Sequence, residues 1–297
     1  MRSIDAPPIR PHDDVTLFRE AVTYTAAQTG FDPRLIEKDY FCSLVLQYLA
    51  AQAPGLVFKG GTCLAKVHAG FYRLSEDLDF SVPMPEDATR AERSRAAKAA
   101  GAALAGLTAA LGVVGVSEPL RGANESKQYV AALTYKSLLD GHAESIKIEI
   151  GLREPLLESR VIGKTNTLLL DPVSGESQLR PFSLACLSAR EAMAEKARAA
   201  LARLEPAIRD FFDIDHAALN SRFNPDDKHL LALVRQKLAV RDTGPVDMTH
   251  ARLDRLRSQI ETDLRPVLRP ADFAGFDLDR AFALLLRIAR AVGAVGA

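Results

Sequence analysis

Two carboxylates one residue apart, Asp77 and Asp79, are the side chains whose type and spacing point most directly to chemistry. They lie in the run Asp77-Leu78-Asp79-Phe80, whose acid–apolar alternation predicts a β-strand. Successive strand side chains point to opposite faces, so the two acids face the same way. Like charges held side by side repel, and such a pair must be exposed, share a proton or bind a cation. Upstream, the apolar run Leu56-Val57-Phe58 meets Lys59 and the glycine pair Gly60-Gly61. Glycines adopt backbone angles closed to other residues and let a phosphate approach the main chain. A phosphate cradle followed by a carboxylate pair is what metal-dependent nucleotidyl transfer needs, so cation binding is the sharpest of the three readings.

The neighbouring elements would position this pair. Thr62 to Ala69 reads as a short helix whose N-terminal amides favour an anion. Thr62 adds a hydroxyl donor. Lys66, one turn along, is either a point charge for a phosphate or a surface lysine. Ser75, just after Arg73, either touches a triphosphate or metal-bound water, or closes a strand-entry hydrogen bond. Farther on, Gln128 to Tyr135 and Ser145 to Ile150 read as a hairpin around the Asp140-Gly141 turn. In the second strand Ile146, Ile148 and Ile150 face a core, and Lys147 and Glu149 face the other side.

The ordered strings GGTCLAK and RLSEDLDF resemble the nucleotidyltransferase superfamily that includes DNA polymerase β. They resemble in particular its AbiEii/MenT branch, the toxins of bacterial toxin–antitoxin and phage-defence systems. Three further segments extend the likeness. Glu37-Lys38-Asp39-Tyr40 resembles an EKDY element upstream of the glycine turn, which leaves Lys38 as a nucleotide contact or a fold support. Glu149 resembles the third superfamily carboxylate, although many members carry Asp there. Glu195-Lys196, Arg203, Arg209-Asp210 and Asp213 resemble a downstream motif, which implies required roles for Lys196 and Asp210 and weaker ones for Arg203, Arg209 and Asp213.

The resemblance implies NMP transfer from an NTP to an acceptor hydroxyl. The catalytic set would be Asp77, Asp79, Glu149, Lys196 and Asp210. Mg²⁺ (or Mn²⁺) would sit on Asp77, Asp79 and Glu149. Lys59, Gly60, Gly61, Thr62, Lys66, Ser75, Arg203 and Arg209 would hold the nucleotide. It also implies the tRNA 3′ end as acceptor, a block to translation, and a cognate antitoxin as partner. In some MenT-type systems the serine matching Ser75 is phosphorylated by the antitoxin. Two other readings stay open: NMP transfer to a small molecule or protein, and a non-enzymatic GTP-binding or interaction protein.

The expected fold is α+β, a polymerase-β-like core with a mixed sheet, N-terminal helices and a C-terminal helical domain. The first residues, to position 13, hold three prolines and read as an irregular arm. Helices are expected over Val15–Thr29, from Pro33 to about Gln52, and over an Ala-rich stretch from Asp87 to Leu111 closed by Gly112 and Gly115. Val161 to Leu170 contains a further strand. From Leu184 onward only helices are expected, placing a domain boundary there: 1–184 for the N-terminal helices and core, 185–297 for the helical domain. In the second part, Ser188 and Glu191 fit a capping box, and Pro206 fits the first turn of a following helix.

Composition narrows the classes. Hydrophobic residues make up 47% of the 297, enough for a sizeable core. Zero net charge argues against a broadly basic nucleic-acid binder, though a local basic groove remains open. Cys42, Cys63 and Cys186 are odd in number and show no zinc spacing, which fits a reducing cytoplasm. No signal peptide is read at the N-terminus. The uncharged stretch from Ala99 to Val116 is rich in Ala and Gly and reads as a buried helix and turn rather than a membrane span.

Overall fold

The computed structural model describes residues 10–220 and 224–295. Positions 1–9 of the expected proline arm lie outside the described residues, and the arm ends in a single 3₁₀ turn, Pro11–Asp13. The first half of the chain runs α1 (Val15–Thr29), α2 (Pro33–Gln52), β1 (Val57–Lys59), α3 (Gly60–Cys63), β2 (Leu78–Ser81) and α4 (Arg90–Leu111). It continues through β3 (Val114–Ala123), β4 (Gln128–Lys136), β5 (Ala143–Gly151), β6 (Val161–Lys164) and β7 (Ser183–Cys186). Helices then follow: α5 (Ala189–Ala202), α6 (Ile208–Leu219), α7 (Lys228–Ala239), α8 (His250–Ser258), α9 (Pro270–Ala274) and α10 (Leu278–Ala291).

Helix α2 is the hub of the first half. Asp32 caps it by accepting from the Arg34 amide, and Pro33 occupies the first turn, where its missing N–H costs nothing. Its apolar residues pack into the larger hydrophobic cluster with α1, α4 and one face of the sheet. The four residues of its EKDY run bind four separate segments. Glu37 accepts from the Leu138 amide and Ser137 hydroxyl at the β4–β5 turn, each at 2.7 Å. Lys38 pairs with Glu76 at 3.0 Å. Asp39 pairs with Lys66 at 2.7 Å, and Tyr40 meets His12. Lys38 thus holds the residue preceding Asp77, a fold-supporting contact.

The described strands form one mixed sheet in the order β3-β4-β5-β2-β1-β7-β6. The pairs β1–β7 and β2–β5 are parallel, and the others antiparallel. Mixed sheet and flanking helices make the chain α+β, as expected. Alternation divides the central strands between two cores. Phe58, Leu78, Phe80, Ile148 and Ile150 enter the cluster with α2 and α4. Val57 enters the second cluster, which is built mainly from α5, α6, α7 and α10. The face of β1, β2 and β5 that carries Lys59, Asp79 and Glu149 is therefore the one turned from the α2 core.

Several expectations need correction. Val114–Ala123 is a strand, not only a helix end; it pairs with β4 along its length, with irregular register after Val116. Ser183–Cys186 is also a strand and spans position 184, where helices alone were expected; it lies parallel to β1. The strand expected within 161–170 is present as Val161–Lys164. Ser188 does cap α5 through the Glu191 amide, but Glu191 does not return the bond. Its buried carboxylate accepts from the Leu157 and Glu158 amides. Pro206 precedes α6, whose N-cap is Ala207. Among the described residues no helix is long and apolar enough to cross a membrane.

Candidate active site

The cradle begins at the end of β1. Gly60 has φ +76°, a left-handed conformation, and a Cβ there would collide with the Asp79 carboxylate. A Cβ on Gly61 would collide with the Arg73 guanidinium and reach within 3.3 Å of the Ser75 hydroxyl. The glycine pair is thus the floor on which Asp79, Arg73 and Ser75 rest. Helix α3 starts at Gly60 itself, earlier than expected, and passes into a wider turn over Leu64–His68.

Strand register sets the acids. Asp79 lies between Lys59 on β1 and Glu149 on β5, its direct neighbours across the sheet. Asp77 sits immediately before β2, and its carbonyl accepts the Thr62 hydroxyl at 2.5 Å. Burial pushes the Asp79 carboxyl up to about 6; Lys59 and Lys196 oppose this, and Glu149 and Asp77 reinforce it. Burial also tends to raise Glu149, but Lys147, bonded at 2.9 Å, and Lys59 hold it below its ordinary range. With Glu149 turned to Lys147, the three carboxylates do not bring one oxygen each within 4.8 Å of one another. Hard carboxylate oxygens fit Mg²⁺, and Asp79 is an acid whose burial is incompletely offset by the surrounding cations.

From the opposite side come α5 and α6. The Lys196 ammonium lies 2.7 Å from Asp210 and 2.9 Å from Asp213. Burial disfavours its charge, yet the two carboxylates outweigh that and raise its pKa. Asp213 also receives Arg73 in a bidentate pair at 2.5 and 2.7 Å and the Tyr72 hydroxyl at 2.9 Å. Burial would raise Asp213, but Arg73 and Lys196 drive it far below the carboxylate range. Arg73 therefore joins the loop before Ser75 to helix α6. Arg203 approaches Asp210 at 3.3 Å, and Arg209 lies within electrostatic reach of Glu76.

The structure thus gathers Gly60, Gly61, Ser75, Asp77, Asp79, Glu149, Lys196, Asp210 and Asp213 around one face. Three expected phosphate contacts are engaged elsewhere. Lys66 is buried, with its ammonium on Asp39 and on the Ser43 hydroxyl at 2.7 Å. Thr62 donates its single hydroxyl proton to Asp77. Lys59 pairs with Glu195 at 3.2 Å.

Two groups were not read from the sequence as functional. Arg73 was noted only by position, although a buried arginine two residues before Ser75 needed a carboxylate partner. Glu195 anchors a buried ionic lattice beneath the site. Lys237 lies 2.7 Å from Glu191 and 3.4 Å from both Glu154 and Glu195, and Arg198 pairs with Glu154 at 2.9 Å. The cysteines also differ from expectation: Cys63 and Cys186, distant in the chain, meet His68.

The fold has solved counterparts. The structure is similar to a Helicobacter pylori protein described as a candidate nucleotidyltransferase, with TM-score 0.51 and 16% identity, covering 88% of this chain and 96% of that one. It is equally similar to JHP933 from Helicobacter pylori, with TM-score 0.51 and 16% identity, covering 88% and 93%. No curated protein matches the sequence. The family model described as "Nucleotidyl transferase AbiEii toxin, Type IV TA system" matches residues 44–285, a span reaching from α2 through the glycine turn, the acid pair and the lysine clamp into α10. The chain therefore belongs to the AbiEii nucleotidyltransferase toxin family of type IV toxin–antitoxin systems.

Proposed function

We propose that the chain transfers NMP from an NTP to the 3′-terminal hydroxyl of tRNA and releases pyrophosphate. In this reaction the acceptor oxygen bonds to the α-phosphorus, the bond from that phosphorus to the β-phosphate bridge breaks, and the hydroxyl proton is lost. Negative charge grows on the α-phosphate and on the departing pyrophosphate. The observation that carries the reading is the placement of Asp79 against the glycine turn, with Lys196 within electrostatic reach.

Each residue has a distinct part in it. Gly60 and Gly61 let the triphosphate lie against the main chain. Asp77 and Asp79, with Glu149 rotated in from Lys147, would hold Mg²⁺, which when bound neutralises charge on the triphosphate. Where it does not complete the metal site, Glu149 would instead accept the proton of the acceptor hydroxyl. Lys196 is fixed by Asp210 and Asp213 on two sides, so its ammonium need not reorganise as phosphate charge develops. Arg73 is a positioning residue that holds Asp213 and thereby Lys196. A tRNA capped in this way cannot be charged, which would stop translation, and a cognate antitoxin partner would restrain the activity.

The test is incubation with total tRNA and each α-phosphate-labelled NTP with Mg²⁺, beside Asp79→Ala and Lys196→Ala. Label at the tRNA 3′ end, lost in both variants, is the expected result. Label entering protein or a small molecule instead would replace the tRNA acceptor. Tight NTP binding without turnover in any condition would overturn the enzymatic reading.

A further inference from the structure

Cys63 at the end of α3, His68 on the turn that follows it, and Cys186 on β7 each offer one ligand atom, and these atoms all lie within 4.8 Å of one another. Both cysteines are fully buried, and His68 is half-buried. We propose that these three side chains form a binding site for a thiophilic d¹⁰ cation, Zn²⁺ foremost.

The donor set fits that class of ion. Two sulfurs and an imidazole nitrogen suit Zn²⁺ and are poor ligands for Mg²⁺. Tetrahedral Zn²⁺ with Zn–S bonds of about 2.3 Å places its sulfurs about 3.8 Å apart, close enough to the observed limit that small side-chain shifts suffice. A hydrogen bond sets the histidine's tautomer. Its Nε2 lies 2.9 Å from the Leu187 carbonyl, which can only accept, so Nε2 carries the proton and Nδ1 keeps its lone pair. A backbone carbonyl on the far nitrogen is the usual outer partner of a zinc-bound histidine. His68 also lines a cavity of about 60 Å³ with Tyr72, Met193 and His216, which neither cysteine borders.

The placement separates this site from the Asp77–Asp79 acids. Cys186 lies opposite Phe58 across the β1–β7 pair, on the side of the sheet that packs against α2. An ion here would tie α3, whose first residues are Gly60 and Gly61, to the strand beside β1. The inference stands whether or not tRNA is the acceptor.

Cobalt substitution is the test, because a thiolate-to-cobalt charge-transfer band reports sulfur ligation and is blind to ions on carboxylates. The full chain, reduced and stripped with chelator, is titrated with Co²⁺ and then Zn²⁺. One Co²⁺ per chain with that band, displaced by Zn²⁺, is expected in the natural sequence and in Cys42→Ser. The band should vanish in Cys63→Ser/Cys186→Ser. His68→Ala changes a half-buried side chain and should fold; losing an outer partner alone costs about 10–100-fold in affinity, so losing this ligand should weaken Co²⁺ at least that much. Folded protein that shows no charge-transfer band, or the same band and affinity in His68→Ala, overturns the proposal. So does quantitative isolation of a Cys63–Cys186 disulfide from the freshly purified, unreduced chain.

Discussion

Lys237 and Asp79 sit on the two sides of one ionic network, and their environments are opposites. Lys237 is fully buried with three carboxylates within 3.4 Å, and burial, which disfavours its charge, is outweighed so that its pKa rises. Glu195, between them, is likewise held far below the carboxylate range by Lys59, Lys237 and Arg198 despite burial. Asp79 is raised by burial that Lys59 and Lys196 do not offset, and Glu149 and Asp77 add to the rise. The lattice beneath the site is compensated and serves as structure. The acid on the sheet face keeps an electrostatic deficit, which supports the proposed cation site.

The contrast can be broken from either side. The largest effect should come from Lys237→Ala, which removes the one cation that Glu191, Glu154 and Glu195 share in the interior; a loss of about 3–5 kcal/mol in denaturant unfolding is expected. A loss below about 1 kcal/mol would mean that the lattice is not structural. Next is Lys196→Ala. It should lower nucleotide transfer about 100- to 1,000-fold while the protein still folds, because Asp213 keeps Arg73. Single-turnover kinetics beside a melting curve would separate the two effects.

A smaller change of opposite sign is expected at Asp79. Its folded pKa of about 6 lies above the ordinary 3.8. The ionised acid therefore destabilises the cation-free fold at neutral pH, and this cost fades as pH falls from about 6 to about 4. Asp79→Asn should stabilise that form by about 1–3 kcal/mol at pH 7 and by nothing at pH 3.5, measured by urea unfolding in chelator. For the same reason protons should compete with Mg²⁺ below pH 6, and calorimetry in buffers of different ionisation heat should show proton release on Mg²⁺ binding. The smallest effect should be Glu149→Gln, which breaks a partly exposed pair with Lys147 and should shift stability by less than about 1 kcal/mol.

Much of this site was legible because its signals are local. Gly60-Gly61 marks a backbone requirement, Asp77 and Asp79 mark a strand face, and both lie within one short stretch. The lysine motif was legible only through family resemblance, since Lys196, Asp210 and Asp213 alone would read as a salt-bridged helix pair. Lys66 was misread because spacing cannot tell a lysine facing a phosphate from one turned inward to Asp39. Strand β3 hid because it is a largely exposed edge strand containing Gly115, Pro119 and Gly122, with no clean alternation. Strand β7 hid because four residues are too few to show a period. The meeting of Cys63 and Cys186 depends on β7 pairing beside β1, which no local pattern records.

That pairing also has a consequence in time. The last strand to leave the ribosome settles next to the first, and the lysine clamp is made later still. At about 5–20 residues per second, the stretch between Lys59 and Asp213 takes roughly 10–30 s to synthesise. A nascent chain exposes its glycine turn and acid pair well before it owns Lys196, Asp210 or Asp213. On the proposed mechanism, a cell making such a protein would be shielded from its unfinished copies.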